Sequence, residues 1–177
     1  TGCVPKLLFS SDQVLVTGFC EGRHWTEDDL SAVSNRREVN GMLEQIQSIA
    51  VSDLPPRNYV DYCTAYIKQL NQSLIEPALI EKILSAAAAI DNSAWPAVIC
   101  HHDLVPENII VTANGLVLLD WEYAAMGHPA LDYLRLYQCD PESTNLSATN
   151  LPYEGETLTQ LNVVVRGMDD LWTLVQD

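Results

Sequence analysis

Two short apolar runs, residues 109–111 and 116–119, are separated by the dipeptide Asn114-Gly115. No other pattern in the sequence limits the fold so tightly. Asn-Gly is the strongest short-range hairpin signal, because both residues tolerate φ > 0. The two runs are therefore expected as antiparallel strands. In such a pair the start of the first strand lies beside the end of the second. Asn108 stands just before the first run and Asp120 just after the second, so the hairpin brings them to one edge. Asp103, on the segment leading in, can reach the same edge. That segment, His101-His102-Asp103-Leu104-Val105-Pro106-Glu107-Asn108, has the form H-x-D-x-x-x-x-N, and the hairpin is followed by Asp120-Trp121-Glu122-Tyr123-Ala124.

An amide oxygen and a carboxylate make a hard oxygen site that suits Mg²⁺, an ion that keeps waters and takes its other ligands from nucleotide phosphates. A second carboxylate nearby can accept a proton from a substrate hydroxyl. These are the parts that phosphoryl transfer needs. Each residue also has a plainer reading. Asp103 alone would most often be a turn or cap residue, and only its company at these offsets outweighs that. His101, His102 and His128 could be metal ligands, but adjacent histidines on a strand point to opposite faces, so a zinc hydrolase has the wrong ligand spacing. His101 is expected to be a packed structural histidine. Glu122 is evenly balanced between a solvated charge and a metal or substrate contact. Trp121 and Tyr123 read as core before ligand contacts. Trp25, Tyr137 and Trp172 could form an aromatic face for a cationic substrate, but core packing is the simpler reading of each.

The rest of the chain surrounds this unit with helices. Residues 6–9 and 14–17 read as two strands around Ser11-Asp12. A lone hairpin is marginal in water, so these strands are expected to belong to a larger sheet. Thr26, followed by Glu27, Asp28 and Asp29, reads as a helix start. Val39, Leu43, Ile46 and Ile49 recur at helical spacing, which places one or two helices in residues 27–50. Leu54-Pro55-Pro56 breaks the pattern. Tyr62, Tyr66, Leu70 and Leu74 mark another helix, and Leu79, Ile83, Leu84 and Ala87 the next. Residues 97–100 form a short strand-like run, residues 130–139 a helix, and residues 140–156 a loop. Leu158, Leu161, Val165, Met168, Trp172 and Val175 give a last amphipathic helix.

The string HHDLVPENIIVTANGLVLLDWEYAAMGHPALDYLRL is similar throughout to the aminoglycoside phosphotransferase, choline kinase and thiamine kinase superfamily, whose fold is protein-kinase-like. His102 stands where protein kinases usually have Arg, and Asp120-Trp121-Glu122 where they have Asp-Phe-Gly, so the small-molecule branch is the better match. By this resemblance Asp103 is the catalytic base, and Asn108 and Asp120 bind metal. Glu122 matches the acidic residue that choline-kinase-like members carry after their metal Asp. Asp132 matches a family Asp that braces the catalytic loop from a helix, a loop that also includes His101. The front of the chain, VLVTGFCEGRHW, resembles more weakly the last strand of the small lobe and the hinge, whose backbone near Thr17 and Phe19 would then hydrogen-bond adenine.

The resemblance implies an α+β fold: a mostly helical, protein-kinase-like large lobe with a catalytic β-hairpin, plus the last strands of a small β lobe. Residues 1–19 would be the end of the small lobe and the hinge, and residues 20–177 the helical catalytic lobe. No glycine-rich phosphate loop and no strand Lys paired with a helix Glu is found in the sequence. In the family both lie upstream of the hinge, so truncation is the simplest reading. The expected activity is transfer of the γ-phosphate of ATP, with Mg²⁺, to a hydroxyl of a small metabolite. The segment Asp120-Trp121-Glu122-Tyr123-Ala124 and the acidic charge together favour a cationic alcohol such as choline, thiamine or ethanolamine, with an aminoglycoside or sugar as the alternative. A nucleotide-binding pseudokinase or scaffold is the rival of another class, opposed by the intact Asp103, Asn108 and Asp120.

Composition narrows the partners. A net charge of −15 repels phosphate backbones, so nucleic acid is a poor partner. With 47% hydrophobic and 19% charged residues, the 177-residue chain can build one core. Five cysteines without a C-x-x-C pair read as reduced, mostly buried thiols of a cytoplasmic protein. No apolar run is long enough to span a bilayer, so no membrane partner is expected. The oligomeric state is open.

Overall fold

The computed structural model describes residues 2–51, 54–137 and 155–176. The chain opens with a hairpin of β1 (Leu7–Ser10) and β2 (Leu15–Thr17), with Ser10 opposite Leu15 and Leu7 opposite Thr17. The Ser11 hydroxyl accepts from the N–H groups of Gln13 and Val14 and closes the turn where Ser11-Asp12 placed it. Every residue of both strands is exposed.

A two-residue strand, β3 (Arg23–His24), then pairs with the core hairpin, Arg23 opposite Val111 and His24 opposite Ile110. Helix α1 (Glu27–Ser31) starts as the sequence implies: the Thr26 N–H and hydroxyl both donate to the Asp29 carboxylate, at 3.0 and 3.1 Å. It stops at Ala32, whose backbone is extended, and α2 (Val33–Gln47) begins at once. Arg36 makes the break tolerable by donating to the carbonyls of Leu30 and Ser31, which the ended helix leaves without partners. In α2, Val39, Met42, Leu43 and Ile46 form the buried stripe, while Ile49 lies beyond the helix and is exposed.

Helix α3 (Tyr59–Gln69) is capped by Asn58, whose side chain accepts from the Asp61 N–H at 2.7 Å. The helix does not run on to Leu74. Asn71 Oδ1 accepts from the N–H and hydroxyl of Ser73 and opens a separate 3₁₀ turn, Gln72–Leu74, that leaves Leu74 exposed. Asn competes with the helix in this way wherever a turn is within reach. Helix α4 (Pro77–Asp91) begins with Pro in the first turn. At its end the Asp91 carboxylate accepts from the N–H groups of Tyr59 and Val60, both at 2.9 Å, so α4 caps α3.

Strand β4 (Val98–Cys100) pairs antiparallel with β7 (Ala125–Gly127), a strand the sequence did not announce. Between them lies the core hairpin, β5 (Ile109–Thr112) and β6 (Gly115–Leu118), with Ile109 opposite Leu118 and Thr112 opposite Gly115. The turn differs from the expected one. Of Asn114 and Gly115 only the glycine takes a positive φ, +112°. The two residues of the connection are Ala113 and Asn114, and Gly115, the first residue of β6, takes the positive φ opposite Thr112. Helices α5 (Leu131–Tyr137) and α6 (Glu156–Gln176) complete the fold. The expected loop of residues 140–156 falls mostly outside the described residues, as do Cys139 and the Val175 side chain.

Two apolar clusters meet at α5. One packs α2 and Trp25 onto β5 and β6 and takes Tyr133, Leu136 and Tyr137 from α5. The other joins α3, α4 and α6 and takes Leu131 and Leu134. The fold is therefore the mostly helical lobe with a buried hairpin that the sequence implied. Cys3, Cys63 and Cys100 are buried free thiols, and Cys20 is half-buried and free. Among the described residues no helix is long and apolar enough to cross a membrane.

Candidate active site

The site is built at the open end of the β5–β6 hairpin. The Leu119 N–H donates to the Asn108 carbonyl at 2.8 Å, continuing the ladder one step past Ile109 and Leu118. Asp120, the next residue, turns away with φ +56° and an exposed side chain. Asp tolerates this left-handed conformation better than most residues. Among the described residues its carboxylate makes no hydrogen bond or ion pair.

The loop from His101 to Asn108 is fastened from several sides. Asp132, buried in the first turn of α5, accepts from the N–H groups of His101 at 2.7 Å and His102 at 3.0 Å. Burial pushes its carboxyl group up, against the pull of those two N–H donors. The Asn108 side-chain N–H₂ donates to the Asp103 carbonyl at 2.9 Å and lies 3.5 Å from Asp103 Oδ2. With its nitrogen so engaged, Asn108 keeps its amide oxygen as a donor for a cation.

The histidines do not converge. His101 is fully buried; its Nε2 donates to the Leu119 carbonyl at 2.7 Å, its Nδ1 accepts from the Asp103 N–H at 3.3 Å, and its ring packs against Trp121. It ties the loop to the far strand. His102 has φ +67°, and its Nδ1 lies 3.3 Å from the Cys100 carbonyl. Burial holds its pKa down at about 3. A Cβ at Gly127 would come within 2.8 Å of this ring, so only glycine leaves room for it. His128 is held down at about 4, also by burial, and its N–H donates to the Tyr59 hydroxyl at 2.9 Å. Among the described residues no group of three His, Cys, Asp or Glu side chains is placed to hold a metal on its own.

Asp103 faces a cation that the sequence reading passed over. Arg135 Nη2 lies 3.3 Å from Asp103 Oδ1, while Nη1 of the same guanidinium is bonded to the Asp169 carboxylate on α6. Burial lowers the basicity of Arg135, but the two carboxylates outweigh it and keep it charged. One signal for it was available: Arg135 is the lone cation in the apolar run of α5, one turn after Asp132. Arg57 was missed as well. Its N–H donates to the Met126 carbonyl and its Nη2 to the Tyr123 carbonyl, both at 2.8 Å, and its guanidinium lies over the Tyr62 ring. It braces the stretch that follows Asp120.

Glu122 is exposed. Its charge, with those of Asp103 and Asp120, pushes the Tyr123 phenol up. Those three carboxylates therefore act together on one phenol. Trp121 is half-buried against the core, but Tyr123 is exposed, contrary to a core role. The aromatic face does not form: Trp25 and Tyr137 are buried in the core, and Trp172 is exposed on α6. Thr17 and Phe19 stand at the exposed end of β2 and just past it, with Phe19 at 95% exposure.

A sequence model of the phosphotransferase enzyme family (APH) matches residues 7–161. The Protein LicA homolog of Mycoplasma capricolum is 28% identical over 136 residues, which cover 74% of this chain and 54% of that protein. Protein LicA of Haemophilus influenzae is 46% identical over a shorter stretch of 33 residues, 19% of this chain and 12% of that one. Among solved structures, choline kinase LicA from Streptococcus pneumoniae superposes with a TM-score of 0.78 at 19% identity, covering 99% of this chain and 67% of that one. A choline/ethanolamine kinase family protein from Mesorhizobium loti gives 0.69 at 19% identity, covering 98% and 64%. The chain thus spans about half to two thirds of the length of these relatives.

Proposed function

Because this chain belongs to the phosphotransferase enzyme family, we propose that it forms the catalytic lobe of a small-molecule kinase, which moves the γ-phosphate of ATP to an alcohol. One observation carries the reading. Asp103 and Asn108 lie on the segment that leads into one hairpin and Asp120 follows its second strand, so all three stand at its open end, with the Asn108 nitrogen turned onto Asp103. A protein that only binds nucleotide has no use for all three.

In this reading Asp103 orients the acceptor hydroxyl and takes its proton as the oxygen attacks the γ-phosphorus, and the bond to the β-phosphate oxygen breaks to release ADP. The Asn108 amide oxygen and the Asp120 carboxylate would hold Mg²⁺. Two protein oxygens suit an ion that takes its remaining ligands from phosphates and water. When bound it neutralises phosphate charge. Asp132 and His101 hold the loop in shape. Residues 1–19 would form the end of a small lobe and the hinge, with the backbone near Thr17 and Phe19 available to adenine, and residues 20–177 the catalytic lobe.

The acceptor is a cationic alcohol of the choline, ethanolamine or thiamine kind. The negative field of Asp103, Asp120 and Glu122 supports this, as do the relatives whose names include choline or ethanolamine kinase. An aminoglycoside is the second reading, since the kanamycin complex of an aminoglycoside phosphotransferase, APH(2″)-IIia, shares the fold at a TM-score of 0.62. ADP release by the full-length protein with Mg²⁺-ATP should be stimulated by choline, ethanolamine or thiamine more than by kanamycin or glucose. Stimulation by kanamycin alone would replace the acceptor class, and nucleotide binding without stimulation by any of them would favour the pseudokinase.

A further inference from the structure

We propose that His24 is a positioning residue for Asn108, holding through its Nδ1–H the peptide group that joins Glu107 to Asn108. The inference rests on the reading of Asn108 as a metal ligand. At one end of that peptide group the Asn108 N–H donates to the Val105 carbonyl at 3.0 Å, within the short turn Pro106–Asn108. At the other end the Glu107 carbonyl oxygen lies 2.7 Å from His24 Nδ1. A carbonyl oxygen only accepts, so the ring proton is on Nδ1. The peptide group is planar, so pinning both ends sets the plane from which the Asn108 side chain departs. The Asn108 carbonyl and side-chain nitrogen are engaged by Leu119 and Asp103. Those bonds come from within the loop and hairpin. His24 adds a hold from an element 83 positions before Glu107 in the chain.

The segment that carries His24 is pressed onto the edge of β5. A Cβ at Gly22 would collide with the Val111 carbonyl oxygen, so only glycine allows so close an approach. Arg23 then lies opposite Val111 and His24 opposite Ile110, and the Trp25 N–H donates to the Ile109 carbonyl at 2.8 Å. The segment thus runs toward the start of β5, and the His24 side chain reaches past that start to Glu107. It is anchored on both sides of His24. The Arg23 guanidinium donates to both Asp29 oxygens, at 2.6 and 2.8 Å, and Trp25 is buried in the core. His24 is therefore a donor on a fixed support, and its exposed ring carries little of the packing.

The test uses the full-length protein with His24→Phe, which keeps a ring but no donor, and His24→Asn, whose amide nitrogen stands about where Nδ1 does. His24 is exposed, so thermal unfolding should show both variants folded. By calorimetry His24→Phe should weaken Mg²⁺-ATP about 3- to 10-fold, the scale of one hydrogen bond. The affinity for metal-free ATP and the KM for choline should stay unchanged. His24→Asn should recover most of the loss. A role in stability alone would lower the melting temperature without splitting metal-bound from metal-free nucleotide. ¹⁵N NMR of the wild-type protein, without metal or nucleotide, should place the proton of the neutral His24 ring on Nδ1. A proton on Nε2, or equal affinity for Mg²⁺-ATP in His24→Phe and wild type, would overturn the proposal. Asn108→Ala run alongside distinguishes the two failures. If it keeps the affinity for Mg²⁺-ATP, the metal reading of Asn108 falls and takes the role of His24 with it. If it loses affinity and His24→Phe does not, the positioning role alone falls.

Discussion

The chain contains two antiparallel hairpins with opposite surroundings. In the β1–β2 hairpin every residue is exposed, including Leu7, Leu8, Phe9 and Leu15. In the β5–β6 hairpin Ile109, Ile110, Val117 and Leu118 are buried, with α2 on one cluster face and β3 on the edge. Both read alike in sequence, as short apolar runs around a turn. Local pairing therefore makes the hairpin, and only burial makes it a platform stiff enough to hold Asn108 and Asp120 in register. The first hairpin, apolar on both faces, is the surface that a larger sheet would cover.

The contrast is broken most severely at the open end of the buried hairpin. Asp103→Asn should lower kcat by ~10²–10⁴, the usual cost of losing a general base, while leaving ATP affinity nearly intact, because the base acts on the acceptor. Asp12→Asn, in the turn of the exposed hairpin, should leave kcat unchanged. Steady-state kinetics of both in the full-length protein decides. A normal kcat in Asp103→Asn would remove the base from the mechanism.

Stability gives the next contrast. Leu118 is fully buried in the cluster that packs α2 onto β5 and β6. Leu118→Ala should cost about 2–5 kcal/mol, the range for truncating a large core side chain, read as a lower urea midpoint with an unchanged m-value.

What the sequence disclosed follows the same division. Asn108 and Asp120 were legible because a hairpin register converts sequence offset into neighbourhood. The helices α2, α4 and α6 were legible from apolar period, and α1 from Thr26 and Asp29. β3 and β7 were not, since runs of two and three residues such as Arg23-His24 carry no period. The end of α3 was misread because Leu70 and Leu74 keep the spacing while Asn71 diverts the backbone. Arg135 and Asp169 escaped notice because their partnership depends on how α5 and α6 pack, which no local pattern records. The true geometry of the Asn114-Gly115 turn was hidden for a smaller reason: the dipeptide serves more than one turn type.

The buried region should also respond to acid in a way the exposed hairpin cannot. His128 and His102 are held at about 4 and about 3 by burial, against about 6.5 in an unfolded chain. Between these values the unfolded state binds protons that the native state refuses, so stability falls as pH drops. Each histidine contributes about 1.4 kcal/mol per pH unit. Asp132 and Asp169, both pushed up by burial, work in the opposite sense. Urea midpoints at pH 7, 6 and 5 should fall as the histidines outweigh the two carboxyls, and His128 and His102 ring signals that titrate near 6.5 in the native protein, followed by NMR, would show that they are charged there.

The smallest expected effect is also the sharpest test of the comparison. Leu15 is 67% exposed, so Leu15→Ala removes little buried area. In the 177-residue chain it should change stability by no more than about 0.5 kcal/mol, as surface substitutions do. The same substitution in a longer chain that carries a small lobe upstream should behave differently. If a further sheet covers β1 and β2, Leu15 enters a core and its truncation should cost about 2 kcal/mol or more. The difference between the two backgrounds isolates covering from pairing, because the hairpin itself is the same in both. Equal small effects in both would show that the exposed hairpin stays exposed, and that its apolar residues serve something other than a small lobe. A large effect already in the 177-residue chain would show that the hairpin finds a partner there, most simply a second copy through its open strand edge.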